Sequence, residues 1–252
     1  MHATLNPQNE NLRTNPSPSA AAPTAGVALL LMAALALFAE FFVRSRLMDP
    51  NDLTVTINHL RASGPLLRAG IVANLVVALL DVLVAAALYE VFRHAGRGLA
   101  LFAAANRVVY AAIFATATLG QVLALRIATG TNVPSGGRQE QVVSLAAAFL
   151  DLHAFGWQIG LAFFAVHLAA LGGLIIRSGA APRWIGALLI LAGAAYLTDA
   201  FANVLLPNYT DYAAVLKACV ALPALVSELS LCAWLLTSGR RARAAVAHLQ
   251  SA

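Results

Sequence analysis

Charge is what this sequence has least of. Asp, Glu, Lys and Arg together make 11% of its 252 residues, where a soluble domain carries about 25%. With 60% hydrophobic residues and a mean hydropathy of +0.77, the shortfall excludes one large water-soluble core; the few charges lie between long apolar runs. Lysine is almost missing: 15 Arg and one Lys stand against 11 acids, for a net charge of +5. The arginines fall singly in connecting stretches, Arg240, Arg241 and Arg243 apart, so they form no nucleic-acid stripe and read as topology determinants. No nucleic-acid partner is expected. Arg over Lys and the alanine-rich usage suggest a GC-rich bacterial genome.

Cysteine is scarce too. Cys219 and Cys232 lie on one expected helix, about 19 Å apart along its axis, too far for a disulfide. Metal and nucleophile signatures are missing: no His-Glu-x-x-His, Cys-x-x-Cys or Gly-x-Ser-x-Gly occurs, nor any Gly-rich phosphate loop. His153 and His167 would sit about 21 Å apart on a continuous helix and cannot share one zinc. No metal and no cofactor is expected, and no catalytic residue can be assigned.

What is present is a series of apolar runs, each close to or above the roughly 20 residues that cross a bilayer. Six spans are expected, over about 25–43, 69–92, 98–125, 154–176, 184–206 and 213–236. The first run is too long for a signal-peptide h-region and lacks a small-x-small cleavage site. Residues 1–24, polar and Pro/Asn/Ser-rich, read as a disordered tail, and 238–252 as a short basic tail. The fold class is all-α: a polytopic transmembrane bundle whose partner is the lipid bilayer.

Two connections exceed a turn. Asp52–Ala62 reads as a short surface helix ended by Ser63-Gly64-Pro65. Residues 139–153 are apolar enough to continue into span four; the expectation is an interfacial helix or outward extension breaking near His153–Gly156, with a seventh span as the alternative. Basic residues near span ends favour both termini in the cytoplasm of a bacterial inner membrane, with eight on the inner side against seven outside, and short inner loops deciding.

Ionisable side chains inside spans are functional candidates by default. Asp81, Arg107, His167 and Glu228 come from four helices yet lie at one depth, roughly 13–17 Å from the inner helix ends. Glu40, Asp199 and Asn203 form a shallower group toward the other side, near Asp151 and His153 at the expected break. Asp199 and Asn203, four apart, share a helix face. Asn74, Asn106 and Gln121 are neutral companions. The outer group is expected to line a pocket, although an ordinary polar cap on helix ends fits the same residues.

Three functions fit these positions. The first is a binding or transport module for a small solute, ion or proton. The second is an intramembrane, lipid-directed enzyme using carboxylates with His153 or His167. The third is a structural or accessory protein whose buried charges pin helix packing. Four stretches, FAEFFVRSRL (38–47), LLRAGIVANLVVALLDVLVAAALYEVF (66–92), FLDLHAFGWQIGLAFFAVHLAALGGLIIRSG (149–179) and PRWIGALLILAGAAYLTDAFANVLLPNY (182–209), resemble a bacterial multi-pass membrane family catalogued as a domain of unknown function, number 4386. The resemblance covers nearly all of the chain from the first span to the sixth. It matches Glu40, Arg68, Asp81, Tyr89, Asp151, His153, His167, Asp199, Asn203 and Glu228 to the family's polar pattern. It implies the architecture and no activity. Oligomeric state is not readable.

Overall fold

Apolar runs of 20 residues or more, with polar backbone that lipid cannot satisfy, must close their hydrogen bonds internally, and helices do so. The structure is a computed structural model. It describes residues 18–49, 52–130 and 139–250, with side chains from residue 20 to 237 within those ranges. The described residues form α1 (Pro18–Leu37), a π-helical segment (Phe38–Arg44), α2 (Ser45–Leu47), α3 (Leu53–Ala62), α4 (Gly64–Phe92), α5 (Arg97–Ala128), α6 (Gln139–Ser178), α7 (Arg183–Leu205) and α8 (Tyr209–Gln250).

Six helices are long and apolar enough to cross a membrane: Ala20–Leu47, Gly64–Phe92, Arg97–Ala128, Gln139–Ser178, Arg183–Leu205 and Tyr209–Thr237. The chain is a multi-pass membrane protein. Each span packs on its neighbours in sequence, and α8 returns to α1, so α1, α4, α5, α6, α7 and α8 close into a ring. Connections 93–96 and 179–182 share one end of the bundle, called here the His94 end. The α7–α8 turn lies at the opposite, Tyr209 end, together with α2, α3 and the facing ends of α5 and α6.

Close helix approach comes from small residues. A Cβ on Gly186 would stand 2.6 Å from the Gly172 carbonyl oxygen, and a Cβ on Gly172 would meet the Gly186 carbonyl. The backbones of α6 and α7 therefore touch where both lack a side chain. The main apolar core runs from Ala25 and Phe92 through Leu168, Leu174 and Leu189 to Leu235. A second cluster at the Tyr209 end joins Val43, Leu47, Ile57, Leu60, Leu67, Leu125 and Val142.

The helices differ from the sequence expectation at α6, at the outer ends of α1 and α8, and in the burial of α3. α6 does not break at His153–Gly156; it is one helix of 40 residues, about 60 Å long, so residues 139–153 continue span four without interruption. The glycine there does not end the helix because it packs: a Cβ on Gly156 would lie 2.8 Å from Ala117 Cβ. α3 starts at the expected place, with the Asp52 carboxylate accepting from the N–H groups of Thr54 (2.7 Å) and Val55 (3.1 Å), an N-cap. It is more than a surface helix. Thr56, Ile57 and Leu60 are buried, and Arg61 Nε donates to the Ala128 carbonyl at 2.8 Å, which ties α3 to the last turn of α5. Finally, α1 begins at Pro18, inside the stretch read as a tail, and α8 continues to Gln250 through the stretch read as the basic tail. Residues 1–17 and the side chains beyond 237 lie outside the described set.

Candidate functional site

Among the described residues, the buried charged and imidazole side chains Asp81, Arg107 and His167 lie at one level of the ring, and Asp199 is buried apart from them. Asp81 lies 11 residues from the end of α4, Arg107 10 from the start of α5 and His167 11 from the end of α6, all about 15–17 Å from the His94 end. They are buried to 0%, 3% and 1% exposure, and so out of reach of bulk water. Arg107 holds them together. Its Nη2 stands 2.7 Å from Asp81 Oδ1, and its Nη1 is 3.1 Å from His167 Nε2. His167 Nδ1 lies 2.9 Å from the Ala103 carbonyl oxygen. A carbonyl can only accept, so Nδ1 carries the proton and Nε2 accepts from the guanidinium. The guanidinium carbon also sits 5.3 Å from the Phe164 ring centroid, a cation–π contact in a dry setting.

The pairing is incomplete. The Arg107–Asp81 approach is off the hydrogen-bond axis, and neither Asp81 oxygen has an aligned donor among the described residues; Arg107 Nε is also unpartnered. Buried polar groups of this kind call for an explanation. Glu228 on α8, half-buried, lies within electrostatic range of both Arg107 and Asp81. Tyr110 on α5 and Tyr196 on α7 lie in range of Glu228 as well. A cavity of about 10 Å³, room for one water, touches His167 and is walled by Ala85, Tyr89, Ala100, Ala103, Ala104 and Leu174.

The outer group does not converge. Asp199, 4% exposed, accepts at Oδ2 from Gln158 Nε2 (2.8 Å) and at Oδ1 from the Tyr209 hydroxyl (2.8 Å), which links α6, α7 and α8. Asn203 approaches the Tyr209 hydroxyl, and its Oδ1 is buried without a partner. His153 faces α5 instead. Its ring is 6.2 Å from that of Phe114, and its Nδ1 is buried without an aligned hydrogen bond. His153 and Gln158, five apart on α6, point roughly 140° away from each other. Asp151 is exposed. Glu40, in the π-helical segment, pairs with Arg44 at 2.8 Å with both side chains at least half exposed. Of the expected pocket, Asp199 and Asn203 stay together near Tyr209, while His153, Asp151 and Glu40 each lie in a different setting.

Sequence reasoning missed Gln158, Tyr209, Tyr110 and Phe164. Two of them carried a signal: Tyr110 is three residues after Arg107, and Phe164 three before His167, so each shares a helix face with a residue of the charged level. Asn74 and Gln121 meet across α4 and α5, Nδ2 to Oε1 at 3.1 Å.

Residues 24–239 match the family described as a domain of unknown function (DUF4386). A protein of Archaeoglobus fulgidus, described as uncharacterized, is 29% identical over 171 residues, covering 68% of this chain and 84% of that protein. That relative is archaeal, so it lends no support to the bacterial reading. No solved structure matches the chain.

Proposed function

From the premise that the chain belongs to this family of unknown function, we propose that it is a membrane-embedded proton-binding module with its site at Asp81, Arg107, His167 and Glu228. The carrying observation is a charge count in a dry interior. The Arg107 guanidinium contacts the Asp81 carboxylate, the half-buried Glu228 is a second carboxylate within electrostatic range of it, and His167 is held in its neutral form by its two hydrogen bonds. The cluster is electrically neutral only when it holds one proton. An uncompensated charge at this depth is costly, so proton occupancy and packing are coupled. The cavity at His167 has room for one water, which suits a proton or hydronium and no larger solute.

The titratable and charged groups around the site come from every span packed on it: Asp81 and Tyr89 from α4, Arg107 and Tyr110 from α5, His167 from α6, Tyr196 from α7 and Glu228 from α8. The lipid-directed enzyme has less support. Both nitrogens of His167 are engaged by Arg107 and Ala103, and His153 is packed on Phe114 away from Asp199. A structural pin is the second reading, favoured by Arg107 joining α4, α5 and α6.

Infrared spectroscopy of purified protein separates the two readings. Proton binding gives a protonated-carboxyl C=O band at neutral pH that shifts in D₂O and disappears in Glu228→Gln. A wild-type spectrum without such a band, unchanged by Glu228→Gln, leaves only the pin.

A further inference from the structure

The two sides of the Asp81–Arg107–His167 level are built differently. Toward the His94 end one side of the wall is small. Ala85, Ala100, Ala103 and Ala104 leave a cavity that begins at His167 and runs toward that end, closed on its other sides by Leu88, Tyr89, Leu171 and Leu174, with Phe92 stacked on Trp234 near the end itself. Toward the Tyr209 end the next layer is aromatic. Tyr110, Phe114 and Phe164 are all buried. Tyr110 lies 4.9 Å from Phe164 and 6.0 Å from Phe114, centroid to centroid. Tyr196 meets the edge of Phe164 at 5.8 Å, and Trp157 lies 6.2 Å from Phe114 while its Nε1 donates to the Tyr110 hydroxyl at 3.3 Å. These side chains come from α5, α6 and α7, so the layer spans that half of the ring.

Water passes where side chains are short and is excluded where rings interlock at native packing density. We infer that the buried cluster exchanges water and protons with one face alone: the alanine-walled cavity is the access route from the His94 end, and the Tyr110–Phe114–Phe164–Trp157 layer is the seal against the other. The inference rests on the proton-binding reading and adds to it a sidedness. The site would equilibrate with the pH on the His94 side, and passage to the other side would require the aromatic layer to open.

The test uses silver ion, which is close to water in size, charged and thiol-reactive, on full-length protein in sealed vesicles. The background is Cys219→Ser, Cys232→Ser. Three single cysteines are placed: His94→Cys as the reference at the end, Ala104→Cys on the cavity wall and Ala111→Cys, buried between Tyr110 and Phe114 on α5, which leaves every ring of the seal in place. After silver is applied to one face, unreacted thiols are counted by maleimide labelling of the unfolded chain. Silver from the face that blocks His94→Cys should also abolish labelling of Ala104→Cys; from the opposite face it should not. Ala111→Cys should keep its labelling when silver is applied from the Tyr209 side. Ala104→Cys left open while His94→Cys is blocked overturns the route, and Ala111→Cys blocked from the Tyr209 side overturns the seal. If Ala104→Cys fails to fold, Ala100→Cys on the same wall replaces it. A failed route with the protonated-carboxyl band intact rejects only the sidedness; a missing band rejects the reading beneath it.

Discussion

Arg107 and Asp81 face each other across α4 and α5 with Nη2 and Oδ1 2.7 Å apart, and neither has bulk water to fall back on. Such a pair is weak evidence for stability, because two ions lost their hydration to make it. Its removal by halves is another matter, since each partner is then a lone charge in a medium that cannot solvate it. That asymmetry makes the pair testable.

Arg107→Ala is expected to destabilise the protein by about 3–5 kcal/mol, the range for breaking one side of a buried pair. Adding Asp81→Asn should recover part of the loss by removing the stranded carboxylate. Arg107→Lys should not restore the wild type, because one ammonium cannot reproduce the fork that meets Asp81 and His167 together. Thermal unfolding in detergent reads all three; equal loss in the single and double variants would reject an interacting pair.

Asp199 is satisfied where Asp81 is not. Tyr209→Phe and Gln158→Leu should each cost about 1–3 kcal/mol by leaving one carboxylate oxygen unpaired. The two substitutions share one carboxylate and so should be non-additive. A double-mutant cycle on unfolding midpoints checks this, and strict additivity would mean that the two contacts are independent.

The α6–α7 crossing makes a sharper demand. Gly172→Ala or Gly186→Ala places a methyl group against the facing backbone carbonyl, which no rotamer change can relieve. Either should lower the unfolding temperature, and Gly172→Leu should abolish a monodisperse preparation. Gly98→Ala, with nothing within 4 Å of its added Cβ, is the control and should leave the unfolding midpoint close to that of the wild type.

Topology is the fourth expectation. Reporter fusions after Arg93 and Arg183 should report the cytoplasm, and fusions near Gly64 and Asn208 the opposite side, following the basic loops at the His94 end. Reversal of all four would overturn the orientation and leave the spans untouched.

The spans were legible because lipid forces a backbone solution that composition reveals. The common depth of Asp81, Arg107 and His167 followed from counting along helices. What counting could not supply was rotation about each helix axis. Depth placed His153 beside Asp199, but the five-residue step from His153 to Gln158 turns the two apart, and Asp199 went to Gln158. The continuity of α6 was hidden for a related reason: Gly156 reads as a break in sequence and acts in the structure as the surface that lets Ala117 approach. Buried length beyond one bilayer thickness is explained by α3, whose Arg61 and Ile57 lie over the extended ends of α5 and α6, a tertiary contact with no local signature.

The last expectation counts protons. If neutrality of the interior governs the site, the number of protonated carboxyls should follow the number of charges left in it. Wild type, with one guanidinium and two carboxylates, should show one protonated carboxyl. Glu228→Gln leaves the Arg107–Asp81 pair balanced and should show none, with stability unchanged or raised. Asp81→Asn leaves Glu228, within range of Arg107, as its sole counter-charge; it too should show none, while losing the 2.7 Å contact and some stability. Arg107→Leu removes the only cation of the cluster, so both carboxyls should be protonated and the band should grow. The ordering of band areas, Arg107→Leu above wild type above the two carboxamide variants, is the measurement. A pin whose carboxylates stay ionised predicts no band in wild type and no ordered change across the series, and an Arg107→Leu band no larger than that of wild type would sink the charge-count argument.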